Sequence, residues 1–415
     1  MLHPLLASRR FGPLFITQAL GALNDNFFRN ALAVLALYQS AEHGPVLVTL
    51  ALGIFILPYV LFSSIAGQLA DRCEKSRLIR LTRWWEFFLA LIATAGFLTG
   101  NLAVLMVVLF GFGTQAAFFS PLKFGILPQH LAENELVEAN GLIEAGTFVA
   151  ILLGTIMGGA LIRLDFGMFI VPALAIALAA AGVLAARFIP AAPAGAPELR
   201  IGWNVLAESL GLIRLARQRR GVWLSVLGTS WFWGFGATLL TQLQVVAKTT
   251  LGGDSLVLTL LLAFFTIGVG AGSLICPRLL HGEVSARHVP FAGFGMSLFL
   301  WDFVSACTAA TGQFAHLGDV LAHAQGLRML ADLFLLAACG GIFSVPLNAI
   351  VQVGSAPDTR ARVIAANSIL NACMMVAGAA MAALLSVLGL GAPAILLILA
   401  TMNGAVAVWS WRIRK

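Results

Sequence analysis

Charge is what this chain has least of: Asp, Glu, Lys and Arg make up 10% of its 415 residues, against 60% hydrophobic ones. So little polar surface cannot cover a soluble globule, and an ordinary water-soluble domain is excluded. Cysteine is sparse and unpatterned. Cys73, Cys276, Cys307, Cys339 and Cys373 show no CxxC spacing and read as free, mostly buried thiols. The 7 histidines stand singly, with no HExxH, so neither a metal nor a cofactor is expected. No HxxxxD box, nucleophile elbow or extramembrane domain is found, and catalysis is not expected.

What the chain has instead is long apolar runs. About 20 such residues cross the hydrocarbon core as a helix. Hydropathy places spans at 11–38, 46–70, 84–99, 102–128, 139–162, 166–187, 221–249, 255–280, 289–310, 328–353, 363–388 and 392–411. The first lacks a cleavable small-residue site after a short core and is read as a retained span. The expected fold is an all-α membrane protein of twelve transmembrane helices in two six-helix bundles.

Basic residues orient such a protein, because short loops that carry them stay in the cytoplasm. With the N-terminus inside, all 25 fall on cytoplasmic ends or loops except Arg29, Lys123, Arg163, Lys248 and Arg328. That group includes Arg9, Arg10, Lys75, Arg83, Arg414 and Lys415. The net charge of +7 is thus explained by topology, and no nucleic-acid partner is implied.

An internal repeat supports the twelve-span count. Phe119-Ser120-Pro121-Leu122-Lys123 leads to Glu138-Ala139-Asn140-Gly141-Leu142-Ile143, and Phe343-Ser344-Val345-Pro346-Leu347-Asn348 leads to Ala365-Ala366-Asn367-Ser368-Ile369-Leu370. Both pairs end an even-numbered span and begin the next, six spans apart, as in transporters built from duplicated bundles. The expected domains are 1–190, an N-terminal bundle; 191–220, a linker; and 221–415, a C-terminal bundle. Within the linker, Trp203, Leu206, Leu210 and Ile213 recur at helical spacing beside Arg214, Arg217, Arg219 and Arg220. The pattern reads as a basic amphipathic helix on the anionic inner leaflet, the plainer alternative being a flexible tether.

The candidate site starts in the first span, in Asn24-Asp25-Asn26-Phe27-Phe28-Arg29-Asn30. A carboxylate at the bilayer centre costs roughly 2.5–3.5 kcal/mol, so it faces a bundle interior and has a partner or a task. The i to i+4 spacing puts Asp25 and Arg29 on one face, as a cavity pair or as a self-satisfied structural bridge. Lys123 is a phosphate-binding point charge or a snorkelling lysine. Asn24, Asn26, Gln115 and Gln242 are further polar candidates within spans, with Glu144, Gln244, Asp302, Asn367 and Asn371 behind them. Trp231 and Trp233 are candidates for the wall of an acyl-chain slot, with plain packing as the alternative. Gly154 and Gly158 read as a close helix contact.

The loop Gly67-Gln68-Leu69-Ala70-Asp71-Arg72-Cys73-Glu74-Lys75-Ser76-Arg77 resembles the G-x-x-x-D-R-x-x-[KR]-[KR] loop of the major facilitator superfamily. The resemblance implies that Asp71 engages the positive N-terminal end of a second-half helix and latches the inward gate. Gly67, Arg72 and Arg77 belong to the same loop signature, and Glu144 and Arg362 complete the candidate gate set. The corresponding second-half loop, Gly272-Ser273-Leu274-Ile275-Cys276-Pro277-Arg278, lacks the acid.

Within that superfamily the chain resembles the lysophospholipid transporters. The likeness is carried by Leu23 to Leu32, by Phe119-Ser120-Pro121-Leu122-Lys123-Phe124-Gly125-Ile126-Leu127-Pro128, by Glu138 to Glu144, and by Ser230-Trp231-Phe232-Trp233-Gly234-Phe235-Gly236-Ala237-Thr238-Leu239. It implies a flippase moving lysophospholipids from the outer to the inner leaflet of the bacterial inner membrane for re-acylation, with a phospholipid acyltransferase as possible partner. The chain has Leu240 where such transporters can carry a basic residue. A proton-coupled drug antiporter is the rival within transport, but Gly154 is followed by Thr155 rather than proline, and no arginine stands between Gly111 and Gln115. A docking subunit for an acyltransferase is the rival of a different class.

Overall fold

The computed structural model describes residues 4–39 and 44–413. Glu42, Arg414 and Lys415 lie outside the described residues. In hydrocarbon every backbone N–H and C=O must be satisfied internally, so apolar runs of this length fold as helices. Twelve long helices result: α1 (Gly12–Gln39), α2 (Gly44–Arg72), α3 (Lys75–Thr99), α4 (Leu102–Gly125), α5 (Leu136–Leu161), α6 (Gly167–Ala186), α7 (Arg220–Val245), α8 (Ser255–Leu280), α9 (Val289–Ala309), α10 (Ala324–Gly354), α11 (Arg360–Val387) and α12 (Ala392–Ser410). Each coincides with an expected span, and the described residues contain no strand.

Ten of these helices are long and apolar enough to cross a membrane. The other two, α1 and α7, are of comparable length at 28 and 26 residues but carry more polar side chains. The largest departure from expectation is α3, which begins at Lys75 rather than near 84. Its first turns carry charge, of which Lys75 and Arg83 are buried, and hydropathy cannot register that burial.

Local chemistry sets the helix ends. Asn101 accepts from the N–H groups of Ala103 and Val104 at 3.0 and 3.2 Å and starts α4. Asp254 does the same for α8 through Leu256 and Val257. Gly100, at φ 66°, closes α3 in a conformation that disfavours a side chain.

The chain packs as two compact units. The first comprises 1–133, 149–218 and 352–369, and the second 134–148, 219–351 and 370–415. Unit membership changes inside α5, in the last turn of α10 and inside α11. The two repeated segments, around Asn140 and around Asn367, are the ones that cluster away from their own half of the chain.

In the first unit, Phe27 and Phe28 are fully buried, and Phe28 stacks on Phe112 at 4.9 Å and meets Phe97 edge-on at 5.7 Å. Gly154 lets α5 approach α1, since a Cβ there would lie 2.7 Å from the Leu23 carbonyl oxygen.

The linker is hydrogen-bonded to the α2–α3 region of the first unit. Ala196 N–H donates to the Asp71 carbonyl at 2.8 Å, Lys75 N–H to Ala192 O at 3.0 Å, and Gly202 N–H to Gln68 Oε1 at 2.8 Å. A helix, Val205–Arg217, follows, capped by Asn204. It buries Ser209, Leu212 and Ala216 and exposes Leu206 and Leu210 at 72% and 46%, with Trp203 just before it exposed at 73%. The helix carries Arg214 and Arg217 in its last turn.

Candidate functional site

The polar run of α1 assembles a charged cluster inside the first unit. Asn24 is fully buried and donates from Nδ2 to Glu86 Oε1 at 2.9 Å. Glu86 in turn pairs with Arg83 at 2.5 Å, with both side chains 2% exposed. The Arg83 guanidinium carbon lies 4.2 Å from the Phe119 ring centroid, so a cation–π contact from α4 completes its surroundings. Arg29 donates to Asn26 Oδ1 at 2.5 Å and lies 5.5 Å from the Phe55 ring centroid.

Asp25 is half-buried, and its Oδ1 has no hydrogen-bond partner among the described residues. Asp25 and Arg29 share a helix face but form no ion pair with each other there, because Arg29 is turned to Asn26 and Phe55. The charges acting on Asp25 are Glu86, Arg83, Arg29 and Lys123. Tyr59 of α2 adds a phenol beside Asp25 and Arg29. Lys123 places Nζ 4.7 Å from the Phe124 ring centroid.

Three cations (Arg29, Arg83, Lys123) against two carboxylates (Asp25, Glu86) leave a formal charge of +1 in this cluster. The sequence pointed to Asn24, Asp25, Asn26, Arg29 and Lys123; the first four lie close together on α1, and Lys123 on α4 lies within the field of Asp25. The structure adds Tyr59, Arg83 and Glu86. Arg83 had been assigned with Lys75 to a charged loop end. Both are instead 1% exposed and lie within α3, Arg83 because Glu86 and Phe119 satisfy it there. The i to i+3 pair Arg83-Trp84-Trp85-Glu86 was the available signal, masked by averaging hydropathy over the run.

The other substrate candidates divide between the two units. Trp231 donates from Nε1 to Asn403 Oδ1 at 2.8 Å, and Asn403 donates to the Gly293 carbonyl at 2.8 Å, so this indole joins α7, α9 and α12 in the second unit. Trp233 stacks on Phe148 at 6.3 Å, and Phe148 meets Phe265 at 6.1 Å, forming an apolar aromatic row in that unit. Gln242 is buried on α7. Gln115 lies on α4 of the first unit, at the floor of a cavity of about 180 Å³.

A second constellation sits where α2 meets the start of α11. Asp71 is fully buried. Its Oδ1 accepts from Ala361 N–H at 2.9 Å, and its Oδ2 accepts from Arg362 N–H and Arg362 Nε, both at 3.1 Å. These amides are the orphan donors of a helix N-terminus, where negative charge is favoured. Gly67 makes the approach feasible, since a Cβ there would come within 2.6 Å of the Ala365 Cβ. Lys75 is buried beside this joint, within the field of Asp71 and Arg360, and its Nζ has no hydrogen-bond partner among the described residues.

Arg72 and Arg77 do not join Asp71. Arg72 is exposed, and Arg77 pairs with Glu74 at 2.6 Å on the surface. Glu74, outside the spans, is held below the usual carboxylate range, chiefly by the hydroxyl of Ser76. Glu144 lies in the second unit, where it accepts a hydrogen bond from Ser344. A further charged group in that unit, Arg328 bound to Asp302 through Nε at 3.0 Å with Asp332 alongside, had been noted only through Asp302. All five cysteines are free, and no cluster of metal-ligating side chains occurs among the described residues.

Comparison with known proteins agrees with this architecture. The family model of the Major Facilitator Superfamily matches residues 14–379. A "Lysophospholipid transporter LplT" of Escherichia fergusonii is 32% identical over 354 residues, covering 84% of this chain and 81% of that protein. The protein of the same name from Salmonella typhi is 32% identical over 342 residues, 82% and 78% of the two chains. Among solved structures, the human organic anion transporter MFSD10 superposes with a TM-score of 0.78 at 14% identity, covering 98% of this chain and 99% of that one. The E. coli fucose:proton symporter FucP gives 0.72 at 14% identity, covering 98% of each; both show the fold alone. The chain belongs to the Major Facilitator Superfamily and, within it, to the LplT family.

Proposed function

We propose that the protein moves lysophospholipids from the outer to the inner leaflet of a bacterial inner membrane, by alternating access with lateral lipid entry, for re-acylation. The observation that carries this reading is the cluster of Asp25, Arg29 and Lys123 around the buried Arg83–Glu86 pair, with its formal +1 charge. A lysophospholipid needs a polar site for phosphate and head group beside an apolar path for one acyl chain. Arg29 and Lys123 suit the phosphate. Asp25, with an oxygen lacking a donor, suits the ammonium of an ethanolamine head group.

In this reading the Asp71–Arg362 joint is the cytoplasmic latch of the cycle, both termini are cytoplasmic, and two six-helix bundles supply the alternating halves. The linker helix lies on the inner leaflet and offers its arginines to an acyltransferase that consumes the delivered lipid. Transport runs downhill, pulled by that re-acylation. The test is uptake of labelled lysophospholipids and of cationic drugs by liposomes containing the purified protein, with and without a pH gradient. Lysophospholipid movement independent of the gradient supports the proposal; drug movement that requires the gradient, with none of lipid, overturns it.

A further inference from the structure

The cavity beneath Gln115 takes no part in that scheme. α2 and α3 each pack along α4 but barely touch one another, and the wedge they leave is walled by Ala66, Leu69, Leu81 and Trp85 and floored by Gln115 and Leu122. Leu81 and Trp85, 63% and 51% exposed, form its rim, so it opens on the surface of the unit. Gln115 is 2% exposed, and its Nε2 has no hydrogen-bond partner among the described residues. A buried amide donor left without an acceptor is costly in apolar surroundings. Its terminal torsion is broad, so a small rotation turns the donor into the wedge.

Depth identifies the acceptor. Gln115 lies about 15–20 Å from either end of α4 at 1.5 Å per residue, near the middle of a hydrocarbon core about 30 Å thick. The ester groups of a lipid at rest lie at the edge of that core, out of reach. A lipid in passage carries its ester through the middle.

We propose that the α2–α4 wedge is a way-station for a lysophospholipid crossing the bilayer, with its acyl chain along Leu81 and Trp85 and its ester carbonyl accepting from Gln115 Nε2. The inference rests on the transport reading above and adds to it a recognition element for the ester linkage. The head-group cluster handles charge, while Gln115 reads the junction between glycerol and chain.

The test compares initial uptake of a 1-acyl lysophospholipid with that of its 1-alkyl ether analogue, of the same head group and chain length. Liposomes contain either the wild-type chain or Gln115→Met. The wild type is expected to favour the ester by about five- to tenfold, the worth of one hydrogen bond. In Gln115→Met the ratio is expected to fall to about one. Equal rates in the wild type, or an unchanged ratio in the variant, overturn the inference while leaving lysophospholipid transport standing. A wild type that moves neither lipid overturns the transport reading itself. Should Gln115→Met fail to insert, the wild-type ratio alone decides.

Discussion

Asp71 Oδ2 accepts both the backbone N–H and the side-chain Nε of Arg362, each at 3.1 Å, and its Oδ1 takes Ala361 N–H. One carboxylate thus accepts from two amides in the first turn of α11 and from the Arg362 side chain. Every contact at this joint is charge-assisted, and the carboxylate is fully buried.

Asp71→Ala should release the start of α11, since breaking a buried, hydrogen-bonded charge pair costs about 3–5 kcal/mol. It also leaves Lys75 without its nearest carboxylate. The readout is maleimide labelling of a cysteine placed at Ala365, which is fully buried in the intact structure. Labelling should rise at least tenfold in Asp71→Ala and stay low in its parent. Equal labelling in the two would show that Asp71 does not hold the joint.

Asp25→Ala and Arg29→Ala should each abolish most lysophospholipid uptake while the protein still inserts and purifies. Because the two side chains form no ion pair here, the double variant should be as inactive as either single one. Recovery of uptake in the double variant would mean that the two charges serve only to neutralise each other.

Arg83 and Glu86 should behave differently. Removing either alone leaves the other buried and uncompensated, at a cost of about 3–5 kcal/mol, visible as a fall in melting temperature in detergent. Replacing both by apolar residues of similar volume, as in Arg83→Met with Glu86→Leu, should restore much of the stability but not the uptake. A double variant as unstable as the single ones would show that Asn24 and Phe119, rather than the pair, govern stability at this site.

The proposed topology makes a simple map. Single cysteines near Glu42 and near Gln313 should react with an impermeant thiol reagent from the periplasm, and one near Gly195 should not. The reverse pattern would invert the assignment of the Asp71 latch to the cytoplasmic side.

The sequence alone determined the twelve helices, because backbone desolvation in lipid leaves a run of about 20 apolar residues no other fold. It also singled out the charged face of α1 and the Gly67–Asp71 loop, since both are local patterns: charge inside an apolar run, and a small residue one turn before an acid. Partnership was decided only by the tertiary structure. Nothing in the order of residues says that Arg83 folds inward onto Glu86, that Arg29 turns to Asn26, or that Trp231 donates to Asn403. Nor does it say that Glu144 accepts a hydrogen bond from Ser344, or that Gln115 lines a wedge between α2 and α3. Hydropathy sums along one helix, whereas a buried polar group is stabilised by whatever its neighbouring helices present, and that depends on helix rotation and packing.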